Sequence, residues 1–138
     1  MRDAVEALLT DTTTWAVVGC SPNPARDSHE IAGLLQSWGF RVIPVNAQCA
    51  GEEILGEPVY ASVGDIPADI EVDVVDVFRR SELAGAHVDE AIERGARGVW
   101  MQLGVIDDAA AARAADAGLL VVMDRCPAIE MPRLRARS

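Results

Sequence analysis

Between residues 16 and 30 the chain reads AVVGCSPNPARDSHE, and three of its residues are suited to holding a phosphate. Gly19 lets the backbone bend sharply after an apolar run. Ser21 offers a hydroxyl, followed by backbone N–H groups that can point inward. Arg26 supplies a planar forked donor that matches phosphate oxygens. Pro22 and Pro24 fix φ and stiffen the bend. The run is not the dinucleotide fingerprint, because Ser21 stands where G-x-G-x-x-G places its second glycine. That fingerprint also needs an acid after the second strand, where this chain has Asn46 and Ala47, with Glu52 and Glu53 arriving only in the loop beyond. Two of the three requirements for NAD are therefore missing.

Other chemistry-bearing residues are sparse. Cys20, Cys49 and Cys126 are far apart, with no C-x-x-C and no adjoining His29 or His87, so no metal site is expected. The cysteines fall just past strand ends. Exchange of Cys20 or Cys126 with a ligand thiol is conceivable, although small buried apolar cysteines are the plainer reading. His29 reads as a helix-start or surface residue and His87 as lying on a solvated helix face. Asp73 and Asp76 are expected at a strand edge or holding a neighbouring loop. No Ser/His/Asp arrangement stands out, so catalysis is not expected.

The elements that must position these groups alternate between strand and helix periods. A leading helix is expected over residues 3–9, and strands over 15–19, 41–46, 57–61, 72–78, 98–104 and 119–126. Helices are expected over 28–39, 81–95 and 107–118, with a short final one over 128–134. Asp27 with Glu30 resembles the start of a capping box, Ser81 a cap, and Gly39 and Gly95 stops. Pro44 counts mildly against the second strand. Near-continuous apolar strands alternating with helices give an α/β fold. The expectation is a three-layer, Rossmann-like parallel sheet of strand order 3-2-1-4-5-6, helices on both faces. Ligands bind such sheets where the order reverses, here between the first and fourth strands. Gly19, Cys20 and Ser21 line one side of that point and Val77, Phe78 and Arg79 the other.

Composition narrows the partners. One domain, 1–138, is expected from 138 residues, half of them hydrophobic. A net charge of −10, with every cation an arginine, argues against nucleic acid, while one turn of oriented N–H groups can still hold a small anion. There is no apolar run long enough for a membrane span. The acid-bearing N-terminus and odd cysteine count fit a cytoplasmic protein.

Taken together, AVVGCSPNPARDSHEIAGLLQSWGFRVIPVN, VDVVDVFRRSE, MQLG and VVMDRC resemble the small stand-alone CoA-binding domain family. That family is similar to the N-terminal CoA-binding domain of the succinyl-CoA synthetase α chain. The resemblance runs from about residue 12 to residue 134. It implies coenzyme A or an acyl-CoA as the ligand. Gly19 and Ser21 would lie against its phosphates and Arg26 would pair with one. Asn46 would end the second strand beside the nucleotide half. Phe78 and Arg79 would line the opposite wall, with Gln102 and Leu103 following from the fifth strand. The family's usual proline after Asn46 is Ala47 here, which implies a looser loop. The resemblance implies binding without catalysis. The alternatives are an NAD(P)- or FAD-using oxidoreductase on a degenerate turn, or a regulatory subunit whose apolar surface, with Trp38 and Trp100, meets a protein partner; the oligomeric state stays open.

Overall fold

A computed structural model describes residues 3–137. Five parallel strands form the sheet: β1 (Thr14–Val18), β2 (Arg41–Val45), β5 (Val74–Val77), β6 (Gly98–Met101) and β7 (Leu120–Val122), in the order β2-β1-β5-β6-β7. Val18 pairs with Val45 on one side and Val77 on the other, and Val77 pairs with Met101, so these strand ends share one level. Every residue of β1, β5 and β6 is buried, as a sheet covered on both faces requires.

Alternate side chains feed two cores. Ala16, Val18, Ile43, Val75, Val77, Val99 and Met101 pack under α3 (Ser81–Arg94) and α4 (Asp108–Asp116). These helices offer small residues inward, Ala84, Ala91, Ala110 and Ala114, which lets them lie close to the sheet. Trp15, Val17, Val42, Val74, Trp100 and Val122 pack under α1 (Ala4–Thr10), α2 (Asp27–Ser37) and α5 (Pro127–Ala136) through Leu8, Ile31, Leu35, Met131 and Leu134. Trp100 is fully buried core, and half-buried Trp38 lies under Arg135, 5.5 Å from its guanidinium carbon. No described helix is long and apolar enough to cross a membrane.

The expected third strand is the main departure. It shrinks to two-residue strands, β3 (Glu53–Ile54) and β4 (Glu57–Pro58), paired antiparallel across Leu55 and Gly56, both at positive φ. Pro58 lacks a ladder donor, and only Tyr60 reaches the main sheet, through one parallel bridge to Val45. Its position beside β2 is the expected one; its length is not. Pro44 fits β2 for a related reason. Its carbonyl accepts from the Tyr60 N–H at 3.1 Å, so its missing donor also faces that thinly paired outer edge.

Helix starts differ in detail. α2 begins at Asp27 with Arg26 as a cap that makes no side-chain bond, so Asp27 lies inside the helix and forms no capping box. Ser81 is likewise inside α3; its hydroxyl instead donates to the Gly104 carbonyl and accepts from the Ile106 N–H at 2.9 Å, tying down the loop after β6. Asp107 is the true cap of α4, accepting from the Ala110 N–H.

Candidate functional site

The chain follows the ladder one residue past β1, where the Gly19 N–H donates to the Val45 carbonyl at 2.8 Å. Gly19 then turns at φ +82°, and a Cβ there would lie 2.4 Å from the Phe78 carbonyl oxygen. Only glycine permits this contact between the ends of β1 and β5. Beyond it the strands diverge, because α2 crosses to one face and α3 to the other. A crevice opens at the point where the sheet order reverses.

On the β1 side the loop is closed by its own side chains. The Ser21 N–H donates to the Ser28 hydroxyl at 2.9 Å, and the Ser21 carbonyl meets His29 Nδ1 at 3.0 Å. The Ser21 hydroxyl accepts from the Asn23 N–H, Asn23 Oδ1 from the Ala25 N–H, and the Asn23 carbonyl from the Arg26 N–H. The inward N–H groups expected after Ser21 are therefore engaged within the loop, and Pro22 and Pro24 have none. Unengaged donors here include the N–H groups of Asp27 and Ser28, which open α2. Arg26 is exposed beside them and has no ion-pair partner among the described residues.

Asn46 ties this loop to the next. Its Nδ2 donates to the Cys20 carbonyl at 2.9 Å, and its Oδ1 accepts from the Gln48 N–H, capping a short 3₁₀ turn over Ala47–Cys49. The loop that lacks proline at position 47 is thus an ordered turn rather than a loose segment.

Between α2 and α5, above the ends of β5 and β6, lies a cavity of about 430 Å³. Phe78, Arg79, Gln102 and Leu103 line it, joined by Asp27, Glu30, Ile31, Val105, Cys126 and Ile129. Two expected site residues take no side-chain part. Val77 is fully buried under α3, because the strand's alternation turns it to the opposite face. Cys20 is also fully buried rather than an accessible thiol; burial, with Cys49 and Asp76 nearby, pushes it up to about 12. Cys49 is buried too. Cys126 alone of the three reaches the cavity. Asp27, Glu30, Ile31 and Ile129 escaped sequence reasoning because the fold-back of α5 onto α2 creates their wall, and no local pattern signals it; Val105 joins them from the loop after β6.

Beneath the cavity, Asp76 is completely buried. Its Oδ1 accepts from Gln102 Nε2 at 2.7 Å, while Oδ2 has no partner among the described residues. Burial pushes this carboxyl up to about 8, with the Gln102 bond pulling the other way. Asp73, three residues earlier, holds the loop before β1 by accepting from the Thr13 and Thr14 N–H groups. His87 is half-buried and bonded to Glu90 at 2.8 Å rather than free on a solvated face.

Comparison with known proteins places the chain. The family model described as "CoA binding domain" matches residues 13–132. An uncharacterized protein of Bacillus subtilis (strain 168), YneT, is 34% identical over 122 residues, 88% of this chain and 87% of that one. A hypothetical protein from Pyrococcus horikoshii OT3 superposes with a TM-score of 0.87 at 38% identity, covering 94% of this chain and 89% of the other. A Thermus thermophilus protein does so at 0.89 and 36%, covering 97% and 99%. An acetyl-coenzyme A synthetase of Ca. Korarchaeum cryptofilum, at 23% identity and a TM-score of 0.71, shares the fold over 87% of this chain and 28% of its own length. The chain belongs to the CoA-binding domain family.

Proposed function

We propose that this member of the family holds coenzyme A, free or acylated, across the crevice between the ends of β1 and β5, and does so without transforming it. The diphosphate lies against the start of α2, where the Asp27 and Ser28 N–H groups are unengaged and the helix dipole favours an anion. Arg26 and Arg79 flank it from opposite sides. The pantetheine arm enters the cavity past Phe78 and Leu103. That direction follows from charge: Asp27 and Glu30 on the cavity wall repel phosphates and tolerate a neutral arm.

The observation that carries this reading is the adjacency of unengaged helix donors and two arginines without an ion-pair partner among the described residues to a largely apolar cavity, in a chain matched over residues 13–132 by a CoA-binding model. Binding without chemistry is supported by two of the three thiols and by His29. Cys20 and Cys49 are buried with raised pKa values, and His29 is bonded to the Ser21 carbonyl.

Thermal-shift titration against CoA, acetyl-CoA, NAD, NADP and FAD tests the proposal. A ligand at a hundredfold excess over Kd stabilises by about 2.7 kcal/mol. Stabilisation by CoA and not by NAD or FAD is expected. A shift with NAD or FAD and none with CoA would overturn the reading in favour of an oxidoreductase. No shift with any of them would favour a regulatory subunit.

A further inference from the structure

We infer that the cavity between α2 and α5 takes the uncharged, apolar acyl chain of a CoA thioester and disfavours acyl groups that end in a carboxylate. This deepens the CoA reading of the crevice and rests on it. Three large hydrophobic side chains stand out as exposed among the described residues, Leu103 at 61%, Ile106 at 48% and Ile129 at 42%. Two of them, Leu103 and Ile129, line this cavity, and Ile31, Phe78 and Val105 add to its apolar surface. Wet apolar walls around a preformed cavity gain from an apolar occupant. A polar or charged tail would leave them wet.

Charge sets the second half of the inference. Asp27 and Glu30 both line the cavity from the first turn of α2. Neither has an ion-pair partner or side-chain hydrogen bond among the described residues. Arg79 is the single cation on the lining, and its stem runs beside Gly19, where its Cδ would sit 3.1 Å from an added Cβ. It therefore belongs to the diphosphate side. A carboxylate at the end of an acyl chain meets two like charges there and no free arginine. Gln102 adds only a neutral carboxamide whose nitrogen already donates to Asp76.

Isothermal titration with CoA and with acetyl-, butyryl-, hexanoyl- and succinyl-CoA at one ionic strength tests this. Butyryl-CoA should bind about tenfold tighter than acetyl-CoA, as two buried methylenes imply. Succinyl-CoA, with the same four-carbon length as butyryl-CoA, should bind at least about tenfold more weakly than it. In the Asp27→Asn/Glu30→Gln double variant that gap should narrow by threefold or more, with the methylene increments retained. Affinities independent of chain length, or succinyl-CoA equal to or tighter than butyryl-CoA while CoA itself binds, would overturn the inference alone. Failure of folded wild-type protein to bind CoA would overturn the crevice reading and this inference with it.

Discussion

At the scale of single residues, Gly19 and Asp76 give the sharpest expectations. Gly19→Ala places a methyl 2.4 Å from the Phe78 carbonyl at a backbone angle that L side chains rarely adopt. Two costs combine, the left-handed conformation and displacement of the loop after β5, so a loss of roughly 2–4 kcal/mol is expected in urea unfolding. Asp76 is set by linkage. Burial raises its folded pKa from 3.8, the ordinary aspartate value, to about 8, so the native state retains a proton that the unfolded chain has released between those values. The folded state therefore binds more protons there, and stability falls as pH rises from about 4 towards 8, by at most roughly 1.4 kcal/mol per unit. Asp76→Asn should flatten that slope and raise stability at pH 7. A pH series of urea midpoints showing the same slope in both proteins would contradict the assignment. Arg79→Ala removes a cation at the diphosphate and should weaken CoA binding about tenfold in titration while leaving the unfolding midpoint unchanged.

At the scale of elements, two loops do different work. The loop over residues 20–26 is held by Ser21, Asn23 and Ser28, so Asn23→Ala should loosen the start of α2, costing about 1 kcal/mol and weakening CoA binding. The crossover between β4 and β5 is tied down from α3 by an arginine. Arg94 on α3 donates to the carbonyls of Val63, Ile66, Pro67 and Ile70 at 2.7–3.1 Å. Arg94→Ala should cost about 2 kcal/mol and raise amide exchange across residues 62–72, with the crevice unaffected. Faster exchange in the 20–26 loop would show that the two segments are coupled.

At the scale of the whole molecule, the net charge of −10 opposes an anionic ligand at long range, while Arg26 and Arg79 attract it at contact. Salt screens the first more than the second over a Debye length of about 8 Å at physiological ionic strength. The association rate for CoA should therefore rise as salt increases from low to physiological, the reverse of a basic nucleotide-binding protein. A stopped-flow rate that falls over that range would mean the local arginine field dominates.

The local pattern was enough to place the sheet and its reversal point. WAVVG and VDVVDVF are runs apolar enough to be buried on both faces, and the residue types around Gly19 demand a sharp, stiff bend. Periodicity is a property of neighbouring residues, so it survives in one dimension. What it could not carry was anything decided by partners distant along the chain. The third strand contracted because Pro58 and the turn after Asn46 leave Tyr60 alone to pair with β2. Asp76 sank beneath the cavity, and α5 folded back to bring Ile129 opposite α2. Each of those outcomes depends on which surfaces meet, and only packing in three dimensions settles that.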